Sequence, residues 1–117
     1  MNTIFHITQR QQWEQANLIG SYRGDTLDIE GFIHCSKATQ IVKVANRFFL
    51  NQQGLVLLAI DSNQVQAEIR YEVAEIGELF PHIYGVLNID AIYQVINFEP
   101  KKDGFFELPP EVVNLSL

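Results

Sequence analysis

His6, His34 and His82 are the side chains of this sequence best suited to move a proton near neutral pH, and each stands between bulky apolar neighbours. Two of them have a hydroxyl residue two positions further on, Thr8 after His6 and Ser36 after His34. Residues two apart share a face of a β-strand. In the first strand pattern Ile4, His6 and Thr8 therefore lie on one side, with Phe5 and Ile7 on the other. In the second, Phe32, His34 and Ser36 share a side, with Ile33 and Cys35 opposite. Imidazoles and hydroxyls turned into one cleft suit a ligand rich in sugar hydroxyls and phosphate oxygens. Cys35, turned the other way, reads as a small buried apolar side chain. A Cys35/His hydrolase is accordingly the weakest reading. No His-x-His or His-x-x-x-His spacing occurs, so no metal site is expected.

The elements that must position these residues can be read from periodicity. Ile4 to Thr8 is a strand, and Thr8-Gln9-Arg10-Gln11 fits a capping box that opens a helix. That helix carries Trp13 and Ala16 on one face and ends at Gly20. Gly24-Asp25 marks a turn, and Gly31 to Cys35 is the second strand. Ser36 would cap a helix whose apolar stripe is Ile41, Val44, Ala45 and Phe48. A helix start exposes unpaired N–H groups, which favour anionic or phosphate-bearing ligands. Leu55 to Ile60 is an unbroken apolar run that suits a strand buried on both faces. Asp61-Ser62-Asn63-Gln64 would cap a short turn before an alternating strand, Ile69 to Val73. Phe80-Pro81-His82-Ile83-Tyr84-Gly85 reads as a loop, and Ile92 to Phe98 as the last strand. Pro109-Pro110-Glu111 opens a short terminal helix or an extended tail. Helices come early and strands later, without βαβ alternation, which predicts an α+β fold. No GxGxxG fingerprint is present, so no Rossmann-type dinucleotide site is expected.

Bulk properties narrow the partners. The 117 residues correspond to a single domain spanning 1–117, and a 47% hydrophobic content with eight Phe can fill a core. A net charge of −6 argues against binding a nucleic-acid duplex, where affinity comes mostly from Lys and Arg. With one cysteine no internal disulfide forms, and no signal peptide or membrane-length apolar run is visible. The expected location is cytoplasmic, without membrane association.

The segments Ile4-Phe5-His6-Ile7-Thr8, Gly31-Phe32-Ile33-His34-Cys35-Ser36, Val44-Ala45-Asn46-Arg47-Phe48-Phe49 and Phe80-Pro81-His82-Ile83-Tyr84-Gly85 occur in this order. They resemble a family of small, mostly bacterial proteins, the domain of unknown function 952, over Ile4 to about Phe98. That family is distantly similar to the ADP-ribosyltransferase fold, tRNA 2′-phosphotransferases included. His6-Ile7-Thr8 stands where those enzymes have a first-strand His-Gly-Thr, His34-Cys35-Ser36 matches their second-strand motif, and Arg47 matches an arginine ending the next helix.

The resemblance implies a curved, mainly antiparallel sheet split around a cleft, with two principal helices. It further implies that the cleft binds NAD, ADP-ribose or a related phosphate-bearing nucleotide. His6, Thr8, His34, Ser36, Arg47 and Tyr84 would contact this small-molecule nucleotide, with NAD as the cofactor. His34 and His82 would be the catalytic candidates, one or the other transferring the proton, in an ADP-ribosyl- or phosphotransferase-like reaction. The chain departs from those enzymes by having Glu30-Gly31-Phe32 where an arginine is expected, and by lacking a counterpart of the ribose-polarising glutamate. Those departures favour the alternative, a non-catalytic nucleotide- or protein-binding module on the same fold. For that module Phe48, Phe49, Phe105 and Phe106 would form an apolar patch, against core packing as their more ordinary role.

Overall fold

A computed structural model describes residues 2–74 and 77–115. Strand β1 (Thr3–Gln9) leads into helix α1 (Arg10–Ile19), then β2 (Ser21–Tyr22), a one-turn α2 (Leu27–Glu30) and β3 (Ile33–His34). Helix α3 (Ile41–Phe48) is followed by β4 (Leu55–Asp61), β5 (Glu68–Val73), β6 (Leu79–Tyr84), β7 (Leu87–Asn88) and β8 (Ile92–Phe98). A last helix, α4 (Pro110–Leu115), closes the described chain. The strands form two three-stranded sheets, β1-β4-β8 and β3-β6-β5, and a small β2-β7 pair, all antiparallel. The fold is thus α+β with mainly antiparallel sheets.

Alternation divides the apolar residues between two cores. Leu55 to Ile60 are all fully buried, because β4 is the central strand and both its faces are covered. Val56, Leu58 and Ile60 join Ile4 on the face that packs against Ile33, Cys35 and Ile83 of the second sheet. Leu55, Leu57 and Ala59 join Phe5 and Ile7 on the opposite face, beneath Ile41 and Ala45 of α3 and Phe106 and Val112 of the C-terminal segment. The expected faces of β1 and β3 are therefore found as read. The two large sheets touch through Phe5 and Ser36, which exchange backbone hydrogen bonds of 2.8 and 2.7 Å.

Several local expectations are corrected. Residues Phe80 to Tyr84 are not a loop but most of β6, the middle strand of the second sheet. Pro81 is tolerated there because its carbonyl, and hence its nitrogen, faces β3 rather than β5. That carbonyl accepts from Cys35 N (3.0 Å), just past the end of the two-residue β3 ladder, so only one bond is forgone. Thr8 forms no capping box: α1 starts at Arg10 after Gln9, and the Thr8 hydroxyl donates to the Gln12 side chain (2.7 Å) instead. Ser36 is no N-cap either, since its backbone is used by the bridge to Phe5. A short 3₁₀ turn, Ala38–Gln40, precedes α3, and buried Gln40 accepts from Lys37 N (3.0 Å). Of the four phenylalanines, Phe106 is core and Phe49 packs against it, while Phe48 and Phe105 are about half exposed.

Gly20 does end α1 as expected. Its φ of 99° is a left-handed conformation that costs glycine little, and its N–H bonds Ala16 O. Asp61 caps the turn Ser62–Gln64 by accepting from Asn63 N, also as expected.

Candidate functional site

The register of the second sheet decides the site. β3 pairs with β6 so that His34 lies directly opposite His82, on the same face, with ring centroids 5.2 Å apart and near-perpendicular planes. Phe32, two residues before His34, stacks on His82 at 4.2 Å and 21°. Ile33, Cys35 and Ile83 point the other way into the core. The histidine face lines a cleft of about 580 Å³, whose other walls come from the end of β1, the β2–α2 loop, α3 and the end of β5. His6, Thr8, Ser36 and Arg47 line the same cleft. The shared-cleft arrangement read from alternation is therefore what the structure has.

His34 and His82 each carry a carboxylate. Glu30 Oε2 lies 3.1 Å from His34 Nε2, an exposed pair held by the turn of α2. Glu72 Oε1 lies 2.8 Å from His82 Nδ1 and also accepts the Tyr84 hydroxyl at 2.5 Å. These hydrogen bonds, Tyr84 first and His82 second, hold the Glu72 carboxyl below its ordinary range. His82 is 4% exposed, and its Nε2 has no hydrogen-bond partner among the described residues.

His6 is differently placed. Its Nδ1–H donates to the His34 carbonyl (2.5 Å), because a carbonyl can only accept, and its Nε2 lies 2.7 Å from the Tyr22 hydroxyl. The fully buried Tyr22 hydroxyl lies between His6 Nε2 and Thr8 Oγ1 (2.8 Å), and its one proton serves one or the other; the chain continues from Thr8 to Gln12 and from Gln12 to Asp25 (2.6 Å). Burial pushes the His6 pKa down to about 4, so the ring is neutral at pH 7. Burial likewise pushes the Tyr22 hydroxyl up, which keeps its proton available for donation. His6 and Thr8 thus have their polar atoms engaged inside the protein and brace the strand that carries His34.

Tyr84, expected at the ligand, lies off the cleft wall. It shares a face with His82 but sits one pleat further along β6, under the Arg70 guanidinium (4.2 Å from ring centre) and bonded to Glu72. Tyr22, Glu30, Phe32 and Glu72 were not singled out as site residues from sequence. Glu30 four positions before His34 was a readable signal, whereas Glu72 and Tyr22 reach the histidines only through strand pairing. Among the described residues no group of three His, Cys, Asp or Glu is arranged to hold a metal ion.

Cys35 is 3% exposed and burial raises its thiol pKa. A thiol reagent should therefore label it slowly in the native protein and rapidly after denaturation, because the thiolate is the reactive form. Rapid native labelling would contradict its placement in the core.

With this geometry in view, the likeness to known proteins takes on meaning. The model of the family described as "Protein of unknown function (DUF952)" matches residues 7–95. The chain belongs to the DUF952 family. A crystal structure of protein CC0527 from Caulobacter crescentus is similar to it, 28% identical over 96% of this chain and 99% of that one, with a TM-score of 0.86. The solution NMR structure of CC0527 is 30% identical over 92% and 94% of the two chains, with a TM-score of 0.80. No curated protein matches. The DUF952 match spans the Glu30–His34 and Glu72–His82 pairs as well as Arg47. No helix of the described residues is long and apolar enough to cross a membrane.

Proposed function

We propose that this DUF952 cleft binds NAD, ADP-ribose or a related phosphate-bearing nucleotide, in the manner its resemblance to ADP-ribosyltransferases implies. The observation that carries the reading is the convergence of His34, His82 and Arg47 on one cleft walled by Phe32, Phe48 and Phe80. Its volume lies within the range of small-molecule sites, which are mostly apolar with a few convergent polar groups. Imidazoles serve sugar hydroxyls, aromatic rings serve a planar base, and the guanidinium serves a phosphate. His34 and His82 are the candidates for acid–base work in a transfer reaction. Arg47 is the one Lys or Arg in the described lining, set against Asp25 and Glu30. That balance favours, as the second reading, a module that binds its ligand without turning it over; release of nicotinamide from NAD separates the two.

A thermal-shift series with NAD, ADP-ribose, nicotinamide and phosphorylated nucleotides tests the binding, since a ligand selective for the folded state raises apparent stability. His34→Ala should weaken the responding ligand by about tenfold or more, the worth of one lost hydrogen bond to a charged or polar group. It should cost less than about 1 kcal/mol of stability, because the side chain is 48% exposed and its Glu30 pair is solvated. A large stability loss, with no nucleotide bound by the unmodified protein, would remove the site assignment.

A further inference from the structure

We infer that Glu72 is a positioning residue that fixes His82 as a hydrogen-bond acceptor at Nε2, and that this nitrogen receives an O–H donor of the ligand's ribose. The ligand half rests on the nucleotide reading above; the Glu72 half does not. An ionised carboxylate only accepts, so the 2.8 Å contact to Glu72 places a proton on His82 Nδ1. In the neutral ring the other nitrogen then holds a bare lone pair. That lone pair is buried and has no partner among the described residues, although buried polar atoms are nearly always satisfied. Unsatisfied polar atoms of this kind gather where a ligand supplies the missing partner.

The surroundings select the class of donor. Phe32 covers one face of the ring and His34 meets it edge-on, so the approach is apolar and a charged group would lose its hydration there. A neutral hydroxyl loses less and gains the acceptor. Glu72 is itself held in place from behind: Tyr84 donates to the same carboxylate oxygen, and Arg70 lies over the Tyr84 ring. Histidine, carboxylate and phenol thus form a supported chain behind the acceptor, as outer partners do where they fix a ring's tautomer.

NMR of the histidine ring nitrogens, which separates protonated from bare nitrogen, tests both halves on the intact chain. In the free protein near neutral pH, His82 should show Nδ1 protonated and Nε2 bare. Glu72→Gln should move part of the population to the Nε2–H tautomer, because a neutral amide can donate to Nδ1 as well as accept from it. Tyr84→Phe keeps the carboxylate and should leave the tautomer unchanged. An Nε2–H ring or an imidazolium in the unmodified protein, or no change in Glu72→Gln, overturns the role of Glu72. On titration with ADP-ribose the Nε2 resonance should move to a hydrogen-bonded position as the protein saturates. Saturation seen in the backbone amides of β3 and α3, with Nε2 unmoved, overturns the acceptor role and leaves the nucleotide reading standing. A spectrum wholly indifferent to ADP-ribose overturns the nucleotide reading and the ligand half together, while the tautomer result still decides Glu72.

Discussion

Lowering the pH from about 6.5 to about 4 should remove on the order of 3 kcal/mol of folding stability through His6 alone. Burial of the ring is the main cause of its depressed pKa; the neighbouring His34 adds to it, while the hydrogen bond to the His34 carbonyl and the Asp25 charge oppose it. The unfolded chain takes up a proton on this residue near 6.5, whereas the folded chain refuses it until about 4. In that interval the unfolded state binds more protons, so acid favours unfolding. The contribution is complete above the unfolded pKa and is lost as the pH falls through the folded one. About 2 kcal/mol of the loss should fall above pH 5, before most carboxylates begin to titrate. Urea unfolding at stepped pH, beside an NMR titration of the three histidines, measures both sides of this linkage. A folded-state His6 that titrates near 6.5, with stability level down to pH 5, would falsify the neutral, braced imidazole.

Leu57→Ala should cost about 2–5 kcal/mol, a large share of the stability of a domain this size. Leu57 is fully buried on β4, paired with Ile7 on one side and Ile96 on the other. Its side chain points into the core that includes Ile41, Ala45 and Phe98. Three neighbouring elements cannot all collapse into the space it leaves, so most of the cavity should persist. Leu57 does not itself line the cleft, so ligand affinity of the folded fraction should change far less than stability. Denaturant midpoints with an unaltered slope would report the stability change cleanly. A cost below about 1 kcal/mol would mean that β4 is not gripped from both faces.

How far the sequence could be read is plainest at β1 and β3. The facing of His6 and Thr8 against Phe5, and of His34 against Cys35, follows from the two-residue pleat and needs no partner strand. The same holds for Leu55 to Ile60, whose unbroken apolar run requires cover on both sides. Where reading failed, a local signal was outweighed by pairing. Pro81 with the glycine at 85 spelled a loop, yet the ladder from β3 ends just where the missing proline N–H would be needed. Thr8 and Ser36 looked like helix caps because both precede helical patterns, but each is held by a neighbouring strand or side chain instead.

The sequence alone thus determined the faces of β1 and β3, a strand buried on both sides, the α+β class and which histidines could share a cleft. These are matters of local periodicity and total apolar content, and every short segment carries them. Only the tertiary structure decided what each histidine is for. His82 meets Glu72 because β5 and β6 pair in a register that sets the two side chains diagonally across the ladder. His6 meets Tyr22 because α1 folds back and lays β2 beside the site-facing core. A side chain's protonation and hydrogen-bonding state depends on groups distant in sequence and close in space, and that proximity is created only when the strands pair.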